Sequence, residues 1–190
     1  MSNTIEIEAK ALVKQDEYRK LAKLYHGSPR YEQTNYYIDT EDRYLAKEGI
    51  ALRIRKKNGA YELTLKTPLS EGLLEKNEPL TPDQFDDFKF SGEFPKTGIE
   101  RFLIQLGFEP SKLKILTELT TDRIDVEIGG GLLSIDRNMY SGITDYEIEY
   151  EYNSLQGAQK FLKELLEKNG IECKFSELTK INRAMNAIGK

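Results

Sequence analysis

The sequence predicts an α+β fold in which about eight short antiparallel strands alternate with blocks of helix. Three observations lead there. Runs such as IEIEAK (Ile5 to Lys10), IALRIRK, YELTLKT and DYEIEYEY alternate apolar and charged residues with the period of two of a pleated strand. Turn-forming stretches such as Gly129-Gly130-Gly131 separate the runs, and tight turns favour antiparallel pairing. Other segments read as helices from their apolar spacing or their capping residues.

Taken in order, the opening strand is followed by QDEYRKLAKLYHG, with Tyr18, Leu21, Leu24 and Tyr25 at helical spacing and Gly27 as the stop. NYYIDT, IALRIRK, YELTLKT and GLLEKNE are the next strands. LTPDQFDDFKF begins a second helix, with Thr81 as N-cap and Pro82 in the first turn. GIERFLIQLG is a third, closed by Gly107. A second strand block runs through KILTELTTDRIDVEI, LLSIDRN and DYEIEYEY. SLQGAQKFLKELLEKNG then places Ala158, Phe161, Leu162, Leu165 and Leu166 on one helical face, and Ser176 is the expected cap of a last helix, SELTKINRAMNAIG.

Composition narrows the function. The 190 residues carry no repeat and are expected to form one domain, 1–190, whose 11 Tyr and 8 Phe supply a core despite 32% charged residues. A net charge of −4 argues against coating nucleic acid by bulk charge, although a cleft can still focus a local basic field. Met1 leads into polar sequence with no basic-then-apolar leader and no bilayer-length apolar run, so a cytoplasmic protein without membrane contact is expected. Cys173 is the only cysteine and His26 the only histidine, which sets aside an intrachain disulfide, a thiolate or His-based zinc site and a Ser-His-Asp triad. Chemistry here falls to carboxylates, lysines and arginines.

The charged faces form a set. Arg53 and Arg55 share one face of IALRIRK; Glu62, Thr64 and Lys66 share one face of YELTLK; Glu147, Glu149 and Glu151 share one face of DYEIEYEY. Ser134 and Asp136 alternate against Leu133 and Ile135, and Thr121, Arg123 and Asp125 against Asp122 and Ile124. Like charges two residues apart are unfavourable on an ordinary solvent face. Paired carboxylates at that spacing suit a hard divalent cation, and paired arginines suit phosphate oxygens. Alternation alone leaves open which face points inward.

In this order the residues resemble the CYTH family, the triphosphate tunnel metalloenzymes. IEIEAK resembles the family's ExExK, NYYIDT its N-x-Y-F-D-T, GIALRIR its G-x-x-LRxR, and ELTLK its strand ending in lysine. Arg123, Ile135-Asp136, EIEYE and the terminal TKINRA continue the match over essentially the whole chain. The resemblance implies a closed eight-stranded antiparallel barrel, charged inside and wrapped by helices, with the charges of IEIEAK in the tunnel and Ile5 and Ile7 against the helices. It further implies Mg²⁺ or Mn²⁺ on Glu6, Glu8, Glu147 and Glu149. Lys10, Arg53, Arg55 and Lys66 would act on the phosphates, with Arg123, Lys180 and Arg183 as further substrate contacts. Glu62, Glu78 and Asp136 would support the site or form its wall and internal ion pairs, and Asp39 and Thr40 would order a strand end. Thr121 stands where many members have a base, and Thr179 replaces the serine before the helix lysine. The implied function is metal-dependent hydrolysis of inorganic or nucleoside triphosphate. A class IV-type adenylyl cyclase and a non-catalytic polyphosphate-binding module are the alternatives. Thiamine triphosphate is another family substrate, but the chain has no Trp and no evident thiamine cage.

Overall fold

The computed structural model describes residues 2–70 and 72–188. The N-terminal strand is bent at Ile7 into β1 (Ser2–Glu6) and β2 (Glu8–Val13). Helix α1 (Gln15–Leu24), strand β3 (Arg30–Asp39) and the short α2 (Tyr44–Lys47) follow. Then come β4 (Ala51–Lys57), β5 (Ala60–Pro68), β6 (Leu73–Leu80), α3 (Pro82–Ser91) and α4 (Gly98–Gln105). Strands β7 (Lys114–Ile128), β8 (Gly131–Tyr140) and β9 (Ile143–Glu151) and helices α5 (Leu155–Lys168) and α6 (Lys180–Asn186) complete the chain.

All ladders are antiparallel, in the order β1-β6-β5-β4-β3-β7-β8-β9-β2. The two edges of that sheet are the two halves of one strand. β1 pairs with β6 and β2 with β9, and the Ile7 carbonyl at the bend accepts the Tyr152 amide at 3.0 Å. The nine segments are therefore eight staves of a closed barrel, and IEIEAK is the stave that closes it. Closure removes the free edges that an open sheet would expose. The turn before β6 passes so near this stave that a Cβ on Gly72, at φ +77°, would sit 2.4 Å from the Glu6 carbonyl oxygen. Only glycine fits there.

The apolar faces point outward under helices. Ile38, Leu52, Ile54, Leu63 and Leu65 are covered with Phe85 and Phe88 of α3 and Ile99 and Leu103 of α4. Ala9, Ala11, Ile135, Ile148 and Tyr150 are covered with Leu21 of α1 and Leu162, Leu165 and Leu166 of α5. Each fully buried aliphatic side chain contributes about 1.5–3 kcal/mol, so the core lies between barrel and helices rather than inside the barrel. A third cluster joins Ala184 and Met185 of α6 to Tyr37, Leu119 and Tyr140, which point inward, so α6 plugs one end of the barrel.

Two sequence expectations need correction. Ile5 is 62% exposed and takes no part in the clusters under the helices among the described residues. The last helix begins at Lys180 with Thr179 as its cap, its hydroxyl accepting from the Asn182 amide at 3.2 Å. Ser176 lies before it in an extended strap, where its amide donates to the Lys10 carbonyl at 2.9 Å and Phe175 bridges Ala11. The β2 backbone thus takes a partner that is preferred over an extra turn of helix. The second helix is as read: Thr81 and Gln84 form a reciprocal capping box, Pro82 is in the first turn, and Gly92 ends it at φ +78°.

Candidate active site

The register sets the tunnel lining. Residues directly opposite in a ladder share a face, and the pairs Lys10 with Glu149, Arg53 with Tyr37, Lys66 with Glu75, and Arg123 with Asp136 all turn inward. The interior holds a cavity of about 140 Å³. Glu6, Glu8 and Glu149 line it, as do Lys10, Arg53, Arg55, Lys66, Arg123 and Lys180. Arg183, Glu147, Asp136 and Glu62 lie outside that lining.

The charges are segregated around the ring. Counting staves in either direction, β4 with Arg53 and Arg55 stands four away from β9, directly across the tunnel. Glu149 and Glu151 of β9 stand beside Glu8 and Glu6 of the closing stave, which makes an acidic wall. Burial raises the Glu8 carboxyl, and Glu149 raises it further; Glu151 is raised by burial and then by Glu6 and Glu75. On Glu8 the pull of Lys10 and Lys66 does not outweigh burial and the neighbouring acids. On the opposite wall Arg53 makes no hydrogen bond or ion pair with a described residue, and its buried Nε has no partner. Arg55 has only the Asn35 amide oxygen, at 3.3 Å from its Nε. Burial, then Arg53 and Arg123, push the Arg55 guanidinium down to about 10. The acids that act on Arg55, Glu75 and Glu62, do not offset this.

The remaining bases are already paired. Lys66 bridges Glu6 and, at 3.0 Å, Glu75; Lys10 contacts Glu8 at 2.8 Å. Burial would raise Glu75, but Lys66 and Arg53 outweigh it and hold the carboxyl at about 2. Beside the α6 plug, Lys180 projects its ammonium among Asp136, Glu147 and Glu149 at 2.8, 2.6 and 2.6 Å. Arg123 also joins Asp136 to Glu149, at 2.6 Å from each. Among the described residues these three acids are the trio whose ligand oxygens lie within 4.8 Å of one another, a spacing suited to a metal. Here Lys180 and Arg123 neutralise them: burial would raise Glu149, yet the two cations and Lys10 hold it well below the carboxylate range. One turn along α6, Arg183 grips Asp145 at 2.8 Å and Glu147 at 3.0 Å.

Several residues sit apart from where their sequence pattern placed them. Glu78 is on the outer face opposite Leu63, where it accepts the Gly98 and Ile99 amides at 3.0 and 2.8 Å and caps α4. The inward acid of β6 is Glu75, two residues from the inward Asn77; its phase was available from the pairing of GLLEKNE with ELTLK. Tyr37, Asn35 and Gln33 also line the cavity, an inward polar series within EQTNYYID. Thr121 is buried and donates to Asn138 at 2.8 Å. Asp39 accepts the Thr40, Leu45 and Ala46 amides at 2.7, 2.8 and 3.1 Å, which anchors the turn into α2.

A search for known domains matches the CYTH domain to residues 4–185. The chain belongs to the CYTH family. Among its relatives is a Bacillus subtilis protein named "Putative triphosphatase YjbK", 33% identical over 173 residues and 90% of each chain. A Bacillus halodurans structure described as "a putative adenylate cyclase" superposes with a TM-score of 0.88 at 34% identity, over 96% of this chain and 98% of that one. A Hippeastrum protein, HpAC1, described as a "putative adenylyl cyclase" that "reveals a dominant" triphosphatase activity, superposes at 0.77 with 25% identity over 96% of both chains. The closed antiparallel barrel with outer helices is this CYTH tunnel fold.

Proposed function

We propose that the protein hydrolyses a triphosphate, inorganic or nucleoside, in its tunnel with the aid of Mg²⁺ or Mn²⁺. The observation that carries this reading is the acidic wall of Glu6, Glu8 and Glu149 facing, across one cavity, Arg53 and Arg55, which form no ion pair with a described residue. A cation on one wall and an anion on the other satisfy both, and a metal-bound polyphosphate is such a pair. The relatives named for triphosphatase activity support the same reaction.

Glu6, Glu8 and Glu149 would hold the metal, with oxygen donors of the kind a hard divalent cation takes. Glu147 belongs to the same acidic set and acts from behind, through Lys180 and Arg183. When bound, the cation neutralises phosphate oxygens and polarises an attacking water. Arg53 and Arg55 bind the phosphates and stabilise charge that develops on the transferring group. Lys10 on the closing stave and Lys66 on β5, beside the arginine wall, reach the same space, and Arg123 and Lys180 close the site beside the plug. Arg183 keeps Glu147 and α6 in place rather than reaching the cavity.

Cyclisation of a nucleotide is the second reading, favoured by the Bacillus halodurans relative's description. Against it, Tyr37 is the only aromatic residue lining the cavity among the described residues, so little is there to stack a base. Among the described residues no helix is long and apolar enough to cross a membrane; a cytoplasmic location and a single domain over the whole chain belong to the proposal. The test is product analysis after incubation with inorganic triphosphate, ATP and thiamine triphosphate, each with Mg²⁺ or Mn²⁺. Phosphate release from a triphosphate supports hydrolysis. Cyclic AMP with pyrophosphate as the sole products would replace it with the cyclase reading.

A further inference from the structure

Tyr37 sits on β3 directly across the ladder from Arg53, and its side chain lines the cavity. It is 3% exposed, yet its hydroxyl makes no hydrogen bond with a described residue. The other tyrosines on inward positions, Tyr31 and Tyr140, donate to Asp125 and Asp145. A hydroxyl that lines a cavity without a protein partner is left free to donate to a ligand group there. Its ring is held in place by Leu119, Tyr140, Ala184 and Met185, which fixes where the hydroxyl can point. Across the ladder the buried Arg53 Nε is also without a partner.

We propose that the Tyr37 hydroxyl is a substrate-binding donor, hydrogen-bonded to a phosphate oxygen of the triphosphate that Arg53 holds. The inference rests on the reading of the tunnel as a triphosphate site and adds a residue to it. A neutral donor suits this position. Arg53, Arg55 and Lys180 already act on the Tyr37 hydroxyl, and Arg55 is destabilised by its cationic neighbours. A further cation would add to that repulsion, whereas a phenol donates without charge. Burial also raises the hydroxyl, so it stays protonated at neutral pH and remains a donor.

The test compares Tyr37→Phe with wild type, using inorganic triphosphate and Mg²⁺ as the probe. A lost hydrogen bond to a charged acceptor should lower kcat/KM roughly ten- to a hundredfold. The ligand-free melting temperature should stay about level, because no hydrogen bond to a described residue is removed, and the triphosphate-induced rise should shrink. Tyr36→Phe is the control: its ring packs outside the barrel against Phe85 with centroids 4.8 Å apart, and turnover should not change. Equal turnover and an equal triphosphate-induced rise in Tyr37→Phe would overturn the proposal. If wild type binds triphosphate without releasing phosphate, hydrolysis fails as a function and the binding comparison still decides Tyr37. If wild type shows no triphosphate-induced rise at all, both are overturned.

Discussion

Removing Arg53 should separate stability from catalysis. The Arg55 guanidinium beside it is pushed from its ordinary value down to about 10, first by burial and then by Arg53 and Arg123. A drop of that size opposes the folded, charged form by roughly 3 kcal/mol. The folded state disfavours this charge and the unfolded chain does not, so the penalty is full at neutral pH and fades only as pH climbs past about 10. Burial accounts for the first share. Arg53→Ala therefore recovers at most a part, up to about 1 kcal/mol, equivalent to a rise of up to roughly 2–4 °C for a chain of this size. Arg53 gives up no hydrogen bond or ion pair to a described residue in the exchange, but it no longer helps to hold the Glu75 carboxyl low, which offsets part of the gain. Turnover should move the other way: loss of one donor aimed at developing charge costs roughly a hundred- to a thousandfold. Thermal unfolding without ligand and steady-state phosphate release from triphosphate with Mg²⁺ measure the two quantities. A melting temperature lowered by more than about 5 °C with unchanged turnover would refute the reasoning and make Arg53 a structural residue.

Further predictions follow from the other walls. The Glu8 carboxyl is raised by burial and by Glu149, so in metal-free buffer its contribution to stability is full below the ordinary value of 4.5 and is lost as pH rises beyond it. Glu8→Gln should then gain more melting temperature over wild type near pH 8 than near pH 5; the same difference at both would contradict this. Arg183→Met strips the shared partner from Asp145 and from the fully buried Glu147, and should cost about 3–5 kcal/mol in denaturant unfolding, with a change of less than ~1 kcal/mol counting against a buried ion-pair role. Glu78→Ala should cost about 1 kcal/mol as a lost helix cap and leave turnover intact, and a large loss of turnover would return Glu78 to the tunnel.

Much of the fold was legible because a strand's period of two writes its two faces into the sequence. The alternation in IEIEAK, IALRIRK, YELTLKT and DYEIEYEY gave the charged set correctly, and Thr81 with Pro82 marked α3. What the pattern lacked was the sense of the faces and the neighbours of each strand. Closure through Ile7 depends on which strands meet β1 and β2, a tertiary fact that only the family resemblance supplied. Glu78 was grouped with the tunnel because GLLEKNE holds acids in both phases, and only the pairing of Lys66 with Glu75 settles which is inside. Ser176 and Thr179 are both good caps by residue type; the backbone bond from Ser176 to Lys10 decides between them. Similarly, nothing in EIEYE tells that Glu147 is sealed under Lys180 and Arg183 while Glu149 reaches the cavity. Tyr37 is not marked by the sequence, because an aromatic residue in a strand reads as core, and only its register opposite Arg53 turns it inward.

The central claim is that acidic and basic walls act together, so that metal and triphosphate bind as a pair. Calorimetric titration of an imido-bridged triphosphate, which resists hydrolysis, tests this most directly when run with Mg²⁺ and again in chelator. The account predicts tight binding with Mg²⁺, loss of most of that affinity in chelator, and a similar loss with Mg²⁺ when Glu6 is changed to Gln. Equal affinity in Mg²⁺ and in chelator would show that the arginine wall binds the anion alone, and would contradict the role given to Glu6, Glu8 and Glu149.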